Sequence, residues 1–107
     1  MNVMKMLKQA QAMQEKMQQV QAELGQREVE FSAGGGVVTA TAKGDGSIAK
    51  IRIDPKVVDP SDVGMLEDLV LAAVEGALGK ARDMMGEEMG KVTKPLGIPG
   101  MNLPLGL

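Results

Sequence analysis

Apolar residues recur along the first quarter of the chain at alternating spacings of three and four. We call this set of positions the heptad stripe: Val3, Met6, Ala10, Met13, Met17, Val20 and Leu24. This spacing is typical of a helix that packs along another helix, and Gln, Lys and Glu fill most positions between. It predicts a helix over about 2–25, roughly 35 Å long. Because a small domain does not need so long a helix, we expect part of the stripe to meet a partner surface.

Three segments with a period of two follow, and they predict a three-stranded antiparallel meander. The segments span 27–33, 37–43 and 47–54, separated by a triple glycine at 34–36 and by a Gly-Asp-Gly turn at 44–46. The alternation places three groups of residues on common strand faces: Val29, Phe31 and Ala33; Val38, Ala40 and Ala42; Ala49, Ile51 and Ile53. In the third strand, Ile48, Lys50 and Arg52 are expected on the opposite face.

A second long helix is predicted from about Asp59 to near Met89 or Val92. Asp59 is a suitable N-cap, and Pro60 suits the first helical position. The apolar face of this helix comprises Leu66, Leu69, Val70, Ala73, Ala77, Ala81 and Met84 or Met85. Glycines at 76, 79 and 86 weaken a helix by roughly 1 kcal/mol each. They indicate either close backbone packing or bending.

The last segment, 95–107, is rich in Pro and Gly. This composition predicts a flexible tail after a single α-β-β-β-α domain at 1–94. The predicted class is therefore α+β. The apolar surface of the seven stripe residues and the edges of so small a sheet both favour a homodimer.

Composition narrows the possible chemistry. The 107 residues include no His, Cys, Trp or Tyr and a single Phe. The usual general bases, thiol nucleophiles and zinc ligands are therefore missing. We expect no enzyme, no cofactor, no metal and no small-molecule substrate. No apolar run approaches a membrane span and no secretion signal is evident, so we also expect a cytoplasmic protein without membrane contact.

Charge is distributed unevenly along the chain, although the formal net charge is only −2. That total disfavours a nucleic-acid partner. However, both outer segments have a basic excess, with Lys5, Lys8 and Lys16 in the first and Lys80, Arg82, Lys91 and Lys94 in the last. Lysines at a helix N-terminus also oppose the helix dipole, which makes Lys5 and Lys8 candidates for function or tolerated surface residues.

Three other features have ordinary explanations. The triple glycine lacks the following Lys-Ser/Thr of a phosphate loop. The acidic residues between Asp54 and Asp68 lack EF-hand spacing, and helix capping and solvation explain them better than a cation site. Lys50 and Arg52 could touch phosphates from one strand face, but a plain exposed strand face explains them better.

Several short motifs occur in an order that resembles the YbaB/EbfC family of bacterial nucleoid-associated proteins. After the Met/Gln-rich first helix they are Gly35-Gly36-Val37-Val38, Gly44-Asp45-Gly46, Ile53-Asp54-Pro55, Leu66-Glu67-Asp68-Leu69 with Ala72-Ala73, Lys80-Ala81 with Met84, and Leu96-Gly97-Ile98-Pro99-Gly100-Met101. Each motif alone is weak, and their order over nearly the whole chain makes the resemblance specific.

The resemblance implies a homodimer with projecting helices that binds DNA with low or variable sequence preference in the nucleoid. The seven basic residues of the outer segments are then expected to contact phosphates: Lys5, Lys8, Lys16, Lys80, Arg82, Lys91 and Lys94. The alternative is a protein-interaction adaptor that does not bind nucleic acid. The stripe, the methionines and the acidic net charge favour that alternative.

Overall fold

Two long helices and a small sheet make up the computed structural model, which describes residues 2–93. The elements in chain order are α1 (Val3–Gln26), β1 (Glu28–Ala33), β2 (Val38–Lys43), β3 (Ile48–Ile53), a 3-10 turn (Pro55–Val57) and α2 (Val63–Thr93). The sheet is antiparallel with the order β1-β2-β3. The predicted α+β class and element order are confirmed. Lys94, the predicted domain boundary at 94/95 and the tail lie outside the described residues.

Each helix starts at a side-chain cap. The side chain of Asn2 accepts a hydrogen bond from the Lys5 backbone N–H at 3.2 Å, and α1 begins directly after it. The predicted start of α2 at Asp59 is wrong. Asp59 instead accepts bonds from the backbone N–H and hydroxyl of Ser61. Asp62 accepts from the Met65 N–H at 3.2 Å, so this second aspartate caps the helix.

A bulge in β3 changes which residues face α2. Ala40 lies opposite Ile51, but Ala42 lies opposite Ile48, because Ala49 is an extra residue on β3 at this irregularity. Ile48 packs against the core beside Ala42. The prediction that Ile48 shares a face with Lys50 and Arg52 is therefore wrong.

The core lies between α2 and the first two strands. A ridge of alanines on α2 packs on the small residues of β2, and all of these side chains are buried: Ala73, Ala77, Ala81, Val38, Ala40 and Ala42. Gly76 lets α2 lie close to β1, because a Cβ there would overlap the ring of Phe31. A Cβ at Gly79 or Gly86 would meet nothing within 4 Å. Of these three glycines of α2, only Gly76 therefore allows close packing.

Helix α2 covers β1 and β2 but barely reaches β3. Ile51 and Ile53 lie on the face that α2 covers elsewhere, yet they are 42% and 37% exposed. We call this surface the open sheet face. A single copy of the chain leaves it in contact with water.

Helix α1 joins the sheet only at its C-terminal end. Leu24 is buried, and Val20 and Met17 are half-buried. A Cβ on Gly44 would overlap the Leu24 carbonyl and lie 2.9 Å from Met85 Sδ, so α1 ends beside the last part of α2. The molecule is 74 Å long and only 26 × 16 Å across. Because α2 itself measures about 46 Å, α1 projects away from the sheet.

Candidate nucleic-acid interface

The lysines of α1 lie on the projecting part of the molecule. Lys5, Lys8 and Lys16 are exposed, and the first turn of the helix contains no acidic residue. The ion pairs found within residues 2–93 involve other groups: Arg27–Glu88, Arg52–Glu30 and Lys91–Glu88. The ammonium groups of Lys5, Lys8 and Lys16 are therefore available to an external anion, because few contacts would have to be broken.

Two basic residues of α2 have partners within the chain. The Lys80 ammonium donates a hydrogen bond to the backbone carbonyl of Glu30 at 3.0 Å, which holds it against the edge of β1. The Lys91 ammonium lies 3.3 Å from the Glu88 carboxylate, which also faces Arg27 at 3.5 Å. Each would have to exchange these contacts to bind a phosphate.

Arg82 lies at a groove between α2 and the β2–β3 turn. The groove has a volume of about 330 Å³, and its lining includes Asp45, Leu78 and Met85. The pKa of the Asp45 carboxyl is below its ordinary value, chiefly because the Ser47 hydroxyl and backbone N–H donate hydrogen bonds to it. Asp45 is therefore anionic near neutral pH, which reduces the positive potential around Arg82.

The predicted basic residues do not form one cluster. Along α1, Lys5 is about 28 Å from Leu24, the position where α1 meets α2. Arg82 precedes Met85, the α2 residue at that meeting point, by three residues. The structure therefore separates Lys5 and Lys8, near the start of α1, from Lys80 and Arg82 beside the sheet.

The outer face of the sheet carries three further cations, Lys43, Lys50 and Arg52. Arg52 lies 3.8 Å from the Glu30 carboxylate, and the Lys43 ammonium donates to the Gln26 side chain at 3.3 Å. The two-residue alternation along β2 and β3 already indicates that Lys43, Lys50 and Arg52 lie on one face of the sheet. Glu28 lies opposite Lys43 and Glu30 opposite Thr41. This face is consequently mixed in charge and a weaker candidate for binding a polyanion.

Neither a metal site nor a membrane-spanning helix is found among the described residues. Among residues 2–93, no group of three or more acidic side chains is arranged to hold a metal ion. Likewise, none of the helices described between these limits is apolar over a length that could cross a bilayer.

Known proteins similar to this chain carry consistent descriptions. A nucleoid-associated protein of Pelotomaculum thermopropionicum is 52% identical over 100 residues, which cover 94% of this chain and 95% of the relative. Another, from Acetivibrio thermocellus, is 54% identical over 101 residues, covering 94% and 89% of the two chains.

A solved structure supports the fold alone. It belongs to a protein of Helicobacter pylori described as uncharacterized, which is 15% identical, with a TM-score of 0.59 over 73% of this chain and 90% of that one. The family model of the YbaB/EbfC DNA-binding family matches residues 1–96. On this match and on relatives about half identical over nearly their whole length, the chain belongs to the YbaB/EbfC DNA-binding family.

Proposed function

We propose that the chain acts as a homodimer that binds duplex DNA mainly through phosphate contacts. Its place would be the cytoplasmic nucleoid and its role nucleoid organisation or gene regulation. Membership of a DNA-binding family and relatives named nucleoid-associated proteins support this proposal. The structural observation that carries it is the set of exposed lysines on the projecting helix α1, none of which forms an ion pair within residues 2–93.

The proposed contacts are to phosphates, and no residue of the chain is assigned to read a base. Lysine ammonium groups act on phosphates as point charges, which supplies affinity without sequence information. Lys5, Lys8 and Lys16 are the primary contacts in this proposal. Arg82 is a further contact, as are Lys80 and Lys91 once their present partners are exchanged. Lys94, which lies outside the described residues, is proposed as a contact from the sequence alone.

The acidic net charge is compatible with DNA binding because the acidic residues at the start of α2 lie far from the lysines of α1. The carboxylates of Asp59, Asp62 and Asp68 lie at or near the start of α2, and Met85 near the other end lies beside Leu24. From Asp62 to Met85 is about 35 Å, and α1 adds about 28 Å beyond that to Lys5. Since the Debye length is about 8 Å at physiological salt, repulsion from the acidic end is screened at the lysines.

The open sheet face is the proposed site of dimerisation. Ile51 and Ile53 continue the apolar surface that α2 buries over β1 and β2. Two copies packed through this face would bury both strips and leave each α1 projecting. Such an arrangement presents two sets of α1 lysines to one duplex, as an isologous dimer requires.

An electrophoretic mobility shift over a salt series tests the DNA contacts. The double variant Lys5→Glu/Lys8→Glu is expected to bind about tenfold or more weakly, because it replaces attraction to phosphates with repulsion. The matched control, Lys50→Glu/Lys56→Glu, changes net charge equally at sites away from α1. Its affinity should fall by no more than about threefold.

Two outcomes would contradict this assignment. Equal losses in both variants would show that net charge alone controls binding. A wild-type chain that dimerises but shifts no duplex at about 50 mM salt would favour the protein-interaction adaptor instead.

Light scattering at micromolar concentration tests the dimer separately. Ile51→Lys should halve the measured mass, because it places a charge in the proposed apolar interface. Lys50→Ala, one residue away on the opposite face, should leave the mass unchanged. A dimeric Ile51→Lys variant with normal circular dichroism would exclude the open sheet face as the interface.

A further inference from the structure

We infer that Met4 and Leu7, near the start of α1, form an apolar wedge that opens a base step of duplex DNA from the minor groove. This role rests on the DNA binding proposed above, and it adds a contact with base faces that phosphate contacts do not supply. We call four exposed apolar residues the α1 tip patch: Val3, Met4, Met6 and Leu7. Their side chains are 62%, 64%, 55% and 54% exposed.

The heptad stripe accounts for only half of the α1 tip patch. Val3 and Met6 are stripe positions, but Met4 and Leu7 lie to one side of the stripe. One and two heptads further along α1, the positions equivalent to these two are all glutamine: Gln11, Gln14, Gln18 and Gln21. The apolar surface therefore widens only in the first two turns of α1, at the end that projects from the sheet.

The cations at this end of α1 lie directly beside Met4. Residues three and four positions apart on a helix are neighbours, with about 5–6 Å between their Cβ atoms. Met4 is therefore next to both Leu7 and Lys8, and Lys5 is next to Lys8 in the same way. Lys5 and Lys8 are the only charged residues from 2 to 14. The exposed apolar pair thus lies in a stretch of α1 whose only charges are positive.

Charge complementarity favours a polyanion as the occupant of the α1 tip patch. A contact between two copies about a twofold axis at the patch would bring like charges together, because each copy contributes Lys5 and Lys8. A bilayer is also less suitable than DNA. An interfacial helix buries an apolar face along its length, whereas Gln11 and Gln14 end the widened face after two turns.

The stacked faces of the bases are the part of a duplex that suits Met4 and Leu7. A helix with its side chains is about 10–12 Å across and the minor groove about 6 Å wide, so only single side chains can enter it. Base edges in both grooves are mainly polar, whereas base faces are apolar and stack on apolar side chains. Met and Leu are among the residues that proteins insert between base steps from the minor groove. Lys5 and Lys8 then bind phosphates beside the opened step.

The fluorescence of 2-aminopurine tests the wedge, because stacking quenches this base analogue and unstacking restores its emission. A duplex of about 20 base pairs carries the analogue at TA steps, which are easily unstacked. At saturating wild-type protein, emission should rise about twofold or more, and energy transfer between end labels should show a bend of about 20° or more. Fluorescence anisotropy on the same duplex measures binding separately.

The variant Met4→Gln/Leu7→Gln should lose most of both signals. Its dissociation constant should change by less than about threefold, because Lys5 and Lys8 are kept. The matched variant Met4→Gln/Leu7→Gln/Gln11→Met/Gln14→Leu has the wild-type composition, with the apolar pair moved about 10 Å along α1. It should bind without restoring the emission. All four substituted side chains are exposed, so circular dichroism and light scattering should match the wild type.

Three outcomes would overturn the wedge and leave the phosphate contacts unaffected: binding by the wild type without a rise in emission, equal emission from the wild type and the double variant, or full emission from the shifted variant. A wild-type chain that binds no duplex would contradict the proposed function together with the wedge. Flotation with phosphatidylserine vesicles that requires Met4 and Leu7 would then identify a bilayer as the occupant.

Discussion

Helix α1 has the same heptad pattern along its whole length, but its two halves have different surroundings. Around Leu24 the helix packs against α2 and the β2–β3 turn, and the leucine is 7% exposed. Around Met6 the described part of the chain provides no covering element, and the methionine is 55% exposed. A heptad pattern therefore shows which side of a helix seeks contact, whereas the positions of other elements decide where contact occurs.

Removing volume at the packed end should have the largest effect on stability. Leu24→Ala is expected to reduce the free energy of unfolding by about 2–5 kcal/mol, because it leaves a cavity between α1, Gly44 and Met85. Urea denaturation at one fixed protein concentration measures this loss. A change below about 1 kcal/mol would show that the junction is not tightly packed.

Adding volume to the core should have the next largest effect. Gly76→Ala is expected to cost about 1–3 kcal/mol, since the new methyl group overlaps the Phe31 ring. Gly79→Ala on the same helix meets nothing within 4 Å and should instead stabilise the fold by about 0.5–1 kcal/mol. If both variants were stabilised equally, the close contact at Gly76 would be disproved.

The smallest change is expected at the projecting end. Met6→Ala should alter the free energy of unfolding by less than about 1 kcal/mol, because this side chain is more than half exposed. The same urea experiment gives the value. A loss as large as that of Leu24→Ala would mean that both halves of the stripe are equally buried, and the contrast between them would disappear.

Sequence reasoning located the elements well because capping and periodicity are local. Asn2 directly precedes α1, and the alternation of β2 correctly grouped Val38, Ala40 and Ala42 on one face, which the structure shows to be buried. It misplaced the start of α2, because Asp59 and Asp62 are both good caps. Their hydrogen bonds distinguish the two, because Ser61 donates to Asp59 whereas the Met65 backbone N–H donates to Asp62.

The candidate site was less predictable than the fold. Lys80 and Arg82 are two residues apart, yet the Lys80 ammonium is bonded to the edge of β1 and Arg82 lines a groove beside Asp45. Long side chains reach partners that are distant in sequence, and Glu30 is 50 residues from Lys80. Whether a lysine is free to bind an anion therefore could not be derived from its position in a helical pattern.

The amino-acid sequence by itself determined the order of helices and strands, the apolar side of α1, α2 and β2 and the basic character of the outer segments. Spacing, caps and turn residues act over a few neighbours, so they can be read without the fold. The tertiary structure alone decided that Ile48 belongs to the core, that Gly76 admits Phe31 and that the first half of α1 projects. These outcomes depend on which distant elements meet and where they end.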